Sequence, residues 1–164
     1  TVLGTTPYLL TVNDPADGNR RVRSGETNLG DLTADAYRTQ LGADIGLSNG
    51  GGIRADIKPG NITYNDTLAV FPYGNMGCVV EATGQVIKYA LEMASRDYPQ
   101  ECGGFLQVSG LTYTIDSSVN SSVKLDEKGN FISVNGPYRV KDIMVNGEPI
   151  DLSVLTQWPP TIIC

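Results

Sequence analysis

The sequence predicts an α+β fold in which two main helices pack on a largely antiparallel or mixed sheet. Two segments carry apolar residues at helical spacing, and both lie before Pro99. Beyond Phe105 the pattern changes to short apolar runs that alternate with period two and are separated by turns. Because regular alternation of strands and helices ends after Ser95, a doubly wound parallel sheet is not expected.

Both helices are predicted from apolar spacing and from the residues at their ends. The first spans about residues 28–41, with Asn28 as its N-cap and Gly42 as its stop. The second spans about residues 84–95 and is capped by Thr83. Its predicted apolar face consists of Val86, Ile87, Ala90, Leu91 and Ala94.

Extended segments are predicted on both sides of the helices. Residues 1–12 form one such segment, and a short strand at 44–48 runs into a glycine-rich loop. Residues 68–71 and 78–82 are predicted as two strands joined by a loop, with Cys78 buried in the second. Further strands are expected at 105–108, 111–115, 123–125, 131–134 and 138–145, followed by a hairpin turn at Asn146-Gly147.

Length and composition restrict the possible functions. A chain of 164 residues with 40 % apolar and 18 % charged residues is expected to fold as one soluble domain. The net charge of −6 is spread along the chain, which argues against binding a nucleic acid polymer. Without histidine the chain lacks an imidazole base and the commonest zinc ligand. There is no long apolar run, so no transmembrane segment is expected.

The run from Asn49 to Arg54, with sequence N-G-G-G-I-R, is the sharpest candidate for a binding site. Consecutive glycines let a backbone approach a ligand closely, and the amides of Gly51 and Gly52 could face an anion. Arg54 would add a fork of donors for a phosphate or carboxylate. The alternative is a tight turn at the end of a strand, with Arg54 solvated.

Two other features are candidates for ligand contacts. Tyr73 lies in a loop and offers a flat ring to a base, whereas Phe71 is expected to cap the core. Arg23 belongs to a short basic run that usually marks a solvated strand edge, although a phosphate partner is possible. Asp31 and Asp35 are given no catalytic role, because the helix dipole already favours a charged Asp31.

Four segments together resemble the C-terminal domain of the 5'-nucleotidase and UDP-sugar hydrolase family, namely residues 25–32, 48–54, 71–75 and 104–110. The resemblance implies an extracytoplasmic enzyme, whether secreted, periplasmic or on the cell surface. A separate N-terminal metallophosphoesterase domain would hold two divalent metals and cleave the substrate, while this chain binds the nucleotide or nucleoside and no cofactor of its own. By position, Asn49 and Arg54 match substrate contacts of the family, Tyr73 matches an aromatic under the base, and Arg23 matches a further arginine.

The resemblance covers about residues 1–152, and residues 153–164 form an atypical tail. The family continues there with a second base-stacking aromatic and a G-G-D-G segment, which this chain lacks. Loss of that segment predicts weak ligand binding and an open sheet edge through which two copies could form a homodimer. Trp158 could replace the aromatic, but the two prolines after it favour a loose tail.

Three hypotheses about function follow. The first is a substrate-recognition domain of a metal-dependent nucleotidase, inactive without its partner domain. The second is a binding or interaction module that keeps the fold without the enzyme. The third is a parent enzyme that prefers 2',3'-cyclic nucleotides or UDP-sugars.

Overall fold

The computed structural model describes residues 1–153, 155–156 and 161–162, and it has the α+β architecture that the sequence predicts. Two of its helices are long and one is short, as their bounds show. Along the chain the elements are β1 (Val2–Thr6), α1 (Asn28–Leu41), β2 (Gly46–Asn49), a 3-10 turn (Gly50–Gly52), β3 (Gly60–Thr63), α2 (Tyr64–Val70), β4 (Ala82–Thr83), α3 (Gly84–Ala94), β5 (Leu106–Ser109), β6 (Leu111–Ile115), β7 (Val123–Leu125), β8 (Phe131–Val134), β9 (Val140–Val145), β10 (Glu148–Pro149), β11 (Leu155–Thr156) and β12 (Thr161–Ile162).

The strands form several small sheets of mixed type. Strand β2 pairs with β5 in antiparallel and with β12 in parallel orientation, and β9 lies between β6 and β10 in an antiparallel sheet. The pairs β1-β3, β7-β8 and β4-β11 are antiparallel. Within the described part of the chain, no helix is long and apolar enough to cross a membrane.

Two clusters of buried apolar side chains form the core. The first lies where α3 packs against the central strands, and its members are Ile45, Leu47, Ala82, Ile87, Leu91, Leu111, Val140 and Ile143. The second lies beneath the 3-10 turn and consists of Val12, Val22, Leu29, Ile53, Ile57 and Val70. The segment that follows β2 therefore rests on the second cluster.

The first predicted helix is confirmed, but its predicted N-cap is wrong. The side chain of Thr27, not Asn28, accepts the hydrogen bond from the Gly30 amide. The Asn28 side chain instead accepts from the Thr11 amide at 2.8 Å and donates to a loop carbonyl. The Asn28 side chain thus bonds the backbone of a segment distant in sequence. Gly42 ends the helix in the left-handed conformation, with φ of 65°.

The second helix and the later strands also agree with the prediction. Thr83 caps α3 by accepting from the Val86 amide. Val86 itself is 49 % exposed, so its predicted place on the buried face is wrong. Strands β5 to β9 lie within two residues of their predicted bounds. The hairpin turn is confirmed, with positive φ at both Asn146 and Gly147.

The prediction of strands at 68–71 and 78–82 is wrong. The first stretch belongs to α2, because Thr63 and Asp66 form a capping box in which each side chain bonds the other residue's amide. Of the second stretch only Ala82 lies in a strand, and Cys78 is exposed rather than buried. The extended segment predicted for residues 1–12 is likewise a strand only at Val2–Thr6.

Part of the atypical tail is ordered into strands. Leu155–Thr156 pairs with β4, and Thr161–Ile162 pairs with β2 at Gly46 and Leu47. The tail is therefore not loose at these positions, and that edge of β2 is occupied over two residues. Trp158 and the two prolines after it lie outside the described residues. Homodimer formation stays a prediction.

Candidate functional site

The glycine turn, Gly50–Gly52, is held tightly against the rest of the fold. The Gly50 amide donates to the Phe105 carbonyl at 2.7 Å, and the Gly51 amide donates to the Gly103 carbonyl at 2.9 Å. A Cβ atom on Gly50 would overlap the carbonyl oxygen of Val22, and one on Gly51 would lie 2.7 Å from the Gly103 oxygen. The glycines are thus required for close packing of backbone on backbone.

This use of the amides changes the role expected of the glycines. Because the Gly50 and Gly51 amides already have carbonyl partners, they shape the turn and are not directed at an anion. The amide of Arg54 is also bonded, to the Val70 carbonyl at 2.9 Å. The amides of Gly50, Gly51 and Arg54 are therefore not expected to bind an anion.

Three of the residues singled out in the sequence meet at one small pocket. Asn49, Gly52 and Tyr73 line a pocket of about 60 Å³. The other residues that line it are Tyr37, Ser48, Phe71, Gly74 and Asn75. Ligand pockets usually measure about 300 Å³ or more, so this one can hold only part of a ligand such as a nucleotide. The rest of the ligand would lie on the surface around it.

Aromatic rings form one side of this pocket. Tyr73 is 62 % exposed, so its ring is available for stacking. Phe71 is half-buried and packs against the second core cluster, as expected, but it also lines the pocket. Its ring centre lies 6.4 Å from that of Tyr37. The surface is suited to a flat apolar group placed against Tyr73.

Three arginines lie together beside the glycine turn, and we call Arg20, Arg23 and Arg54 the anion site. Arg54 is exposed and donates through Nη1 to the Gly51 carbonyl at 3.2 Å. Burial lowers the pKa of Arg20, the charges of Arg23 and Arg54 lower that pKa further, and the carboxylate of Glu101 acts in the opposite direction. Arg23 and Arg54 are therefore both close enough to Arg20 to repel its charge.

The anion site has few partners of its own. The Nε atoms of Arg20 and Arg23 are buried and have no hydrogen-bond partner in the described chain. Within the described residues, none of the three arginines is within 4.0 Å of a carboxylate oxygen. Arg21, between them in sequence, is paired with Asp14 at 2.9 Å. Buried donors without partners are costly, so this cluster is suited to an added anion.

Sequence reasoning selected Arg23 and Arg54 but missed Arg20. The basic run at residues 20–23 pointed to this part of the chain, but its spacing could not select Arg20, because residues 22–24 form a turn and not an extended strand. In the structure Arg20 lies near both Arg23 and Arg54, whereas Arg21 faces Asp14.

A larger cavity of about 350 Å³ lies elsewhere, and none of the predicted site residues lines it. Asp31, on its wall, has its pKa raised to about 6, mainly by burial and then by the charges of Glu26 and Asp35. The expectation that the helix dipole keeps Asp31 readily ionised is therefore wrong. Volume alone would favour a third cavity of about 570 Å³, which Asp31 also lines. The arginines beside the smaller pocket and its exposed aromatic ring make that pocket the better candidate for an anionic ligand.

The described residues contain no group of three or more His, Cys, Asp or Glu side chains that could hold a metal ion.

Comparison with known proteins shows the family of this chain. A family model described as 5'-nucleotidase, C-terminal domain, matches residues 2–154. The trifunctional nucleotide phosphoesterase protein YfkN of Bacillus subtilis (strain 168) is 45 % identical over 103 residues, which are 60 % of this chain and 7 % of that protein. A 5'-nucleotidase of Vibrio parahaemolyticus is 36 % identical over 129 residues, which are 77 % of this chain and 22 % of that protein.

A solved structure matches over almost the whole chain. The 5'-nucleotidase precursor from Thermus thermophilus superposes with a TM-score of 0.79 and 32 % identity, covering 99 % of this chain and 29 % of that one. This chain therefore spans less than a third of each of these three proteins. The chain therefore belongs to the family of 5'-nucleotidase C-terminal domains.

Proposed function

We propose that this chain is the nucleotide-recognition domain of a metal-dependent 5'-nucleotidase-type phosphohydrolase that acts in nucleotide catabolism. The observation that carries the proposal is the group of three arginines without carboxylate partners beside a pocket with an exposed tyrosine. Arg20, Arg23 and Arg54 would bind the phosphate, and the ring of Tyr73 would stack on the base. Asn49 and Gly52 would line the space between them.

In this proposal the chain binds and orients the substrate, and chemistry takes place on another domain. A separate metallophosphoesterase domain with two divalent metals would activate water and stabilise the developing charge. Holding the phosphate and the base at two fixed points would present the scissile bond in one orientation. The chain alone is expected to be inactive, and addition of Mn²⁺ should not produce phosphate from AMP.

We further propose that the parent protein works outside the cytoplasm. The support is indirect: the similar Thermus thermophilus protein is described as a precursor. Where the parent resides can be tested by fractionating cells that express it and assaying AMP hydrolysis in each fraction. Activity confined to the cytoplasmic fraction would refute this part of the proposal.

The recognition role is tested by titrating adenosine and AMP into the chain, with amide shifts as readout. AMP should bind more tightly than adenosine, and Arg54→Ala should remove most of that difference. Tyr73→Ala should weaken both ligands by about 1–3 kcal/mol, because stacking on the base is common to both. Arg21→Ala and Tyr8→Ala are matched controls, since Arg21 is paired with Asp14 and Tyr8 is an exposed tyrosine outside the pocket.

The same titration separates the alternatives. A folded chain that binds neither ligand at millimolar concentration would favour a module without nucleotide recognition. Preference for a 2',3'-cyclic nucleotide or a UDP-sugar over AMP would favour a parent with that substrate; the relative named a trifunctional nucleotide phosphoesterase makes this comparison worthwhile. Affinities for AMP, 2',3'-cyclic AMP and UDP-glucose should therefore be measured side by side.

A further inference from the structure

Gln107 is a buried polar residue on β5 whose side chain is fully bonded to one distant segment. It is 2 % exposed. Its Nε2 donates to the carbonyls of Val22 at 3.0 Å and Gly25 at 2.8 Å. Its Oε1 accepts from the amide of Thr27 at 3.2 Å. All three partners flank or follow Arg23, so one side chain fixes the backbone that carries Arg23.

The residues just before Gln107 hold the other parts of the site. The Cys102 amide donates to the Arg23 carbonyl at 2.9 Å. The Gly103 carbonyl accepts from the Gly51 amide at 2.9 Å and from Asn49 Nδ2 at 3.3 Å. Residues 102–107 therefore bond both the arginine-bearing segment and the glycine turn, and they set the distance between the two.

No shorter or apolar side chain can make the same three bonds. A primary amide supplies two donors and an acceptor, which are the groups that two carbonyls and one amide require. The fit is also steric, because a Cβ atom on Gly30 would overlap the Gln107 side-chain amide. The glycine in α1 and the glutamine in β5 are thus matched to each other.

We infer that Gln107 is a positioning residue for phosphate recognition, which acts by fixing the 22–27 backbone and, with it, the place of Arg23 beside Arg20. The inference rests on the proposed function and assigns Gln107 no contact with the ligand. Arginines held in place before binding lose less conformational freedom when the phosphate arrives. Tyr73 lies outside the segments that Gln107 bonds, so stacking on the base should not depend on Gln107.

The readout that separates positioning from general stability is the ratio of the adenosine Kd to the AMP Kd. General destabilisation weakens both ligands alike and leaves the ratio unchanged, whereas misplaced arginines weaken AMP alone. Gln107→Met keeps the length but removes all three bonds, and Gln107→Glu keeps the acceptor but loses both donors. The ratio should fall by about tenfold in each, the scale typical when a group that orients a binding residue is removed.

Ser109→Ala is the matched control, because Ser109 is buried on the same strand two residues away. Its hydroxyl bonds Arg38 and Asp35, which belong to α1 and not to the anion site. This variant should lose stability and keep the wild-type ratio. A ratio that is unchanged in folded Gln107→Met and Gln107→Glu would overturn the inference.

Hydrogen exchange on the wild-type chain tests the same inference without a variant. The Thr27 and Cys102 amides should be as well protected as the amides of β5, because they anchor the arginine-bearing segment. Rapid exchange at these two amides would overturn the inference even if the variants do not fold. A wild-type chain that binds AMP no better than adenosine would instead refute the proposed phosphate contact. In that case the protection of the Thr27 and Cys102 amides would still test whether the backbone is anchored.

Discussion

Two regions of this molecule remove charged side chains from water, and they do so with different outcomes. Between α3 and β9, the buried Arg139 donates through Nη1 to the Ser95 carbonyl at 2.8 Å, and the buried Glu92 accepts from the Val140 amide at 2.7 Å. At the anion site, the buried Nε atoms of Arg20 and Arg23 have no partner in the described chain.

The two regions differ in how the buried charged side chains are held. Nε of Arg139 and Oε2 of Glu92 also lack partners, but each of these side chains is anchored by at least one strong bond to backbone. Their bonds join α3 to β9 and complete the first core. Arg20 instead has Arg23 and Arg54 as positive neighbours, and under the proposed function an anion would relieve this repulsion and supply the missing hydrogen bonds.

The largest expected effect is on stability, in the α3–β9 region. Arg139→Met removes the buried donor to the Ser95 carbonyl and so breaks the side-chain link between the end of α3 and the start of β9. We expect the free energy of unfolding to fall by about 3 kcal/mol. Urea titration measures it, and the ratio of adenosine to AMP affinity should be unchanged in the folded protein. A loss below about 0.5 kcal/mol would mean that Arg139 is not structural.

The next largest effect is on AMP binding, and it is seen by comparing two arginines that are adjacent in sequence. Arg20→Met should weaken AMP roughly tenfold, about 1.4 kcal/mol, by removing a charged donor to phosphate. Arg21→Met should change AMP affinity little, because Arg21 is paired with Asp14. Calorimetric titration of both variants provides the comparison. Equal losses in the two would show that general positive charge, not the anion site, attracts AMP.

A smaller effect is expected from salt. If the arginines bind phosphate by charge, raising NaCl from about 0.05 M to about 0.5 M should weaken AMP several-fold through screening. Adenosine, which carries no phosphate, should bind with nearly the same affinity at both concentrations. A parallel loss for both ligands would place the phosphate away from the anion site.

The smallest effect concerns Asp31 and pH. Its pKa is about 6 in the folded protein and near 3.9 when unfolded, so the folded state holds the proton more tightly. This contribution favours folding below about pH 4 and is lost as pH rises through 6. In Asp31→Asn the free energy of unfolding should therefore decrease less as the pH rises over that range. At neutral pH this variant should be more stable than the wild type.

Urea midpoints at about pH 4.5 and about pH 7, on either side of the shifted pKa, measure this effect. Glu127→Gln is the control, because Glu127 lies exposed in the turn between β7 and β8. Asp31→Asn should shift the two midpoints unequally, whereas the control should shift them alike. An identical pH dependence in wild type and Asp31→Asn would show that Asp31 titrates normally.

Features that depend on near neighbours in the chain were predictable. Thr83 and Gly42 bound their helices as expected, and Asn146-Gly147 forms the predicted hairpin. Asn49, Gly52 and Tyr73 were selected in advance and meet at one pocket. Where local signals conflict, prediction was less successful: the apolar run in α2 suits a strand, but the Thr63–Asp66 capping box makes it a helix.

By itself, the sequence determined the α+β class, the helix ends at Gly42 and Thr83 and the later strands, because spacing and capping act within a few residues. The tertiary structure decided which arginines gather and what holds them in place. Gln107 bonds residues 80 to 85 positions away, and Asn28 bonds Thr11 at 17 positions. Such partners are chosen only when β5 packs beside the arginine-bearing segment, since a buried amide must find its bonds wherever the fold places it.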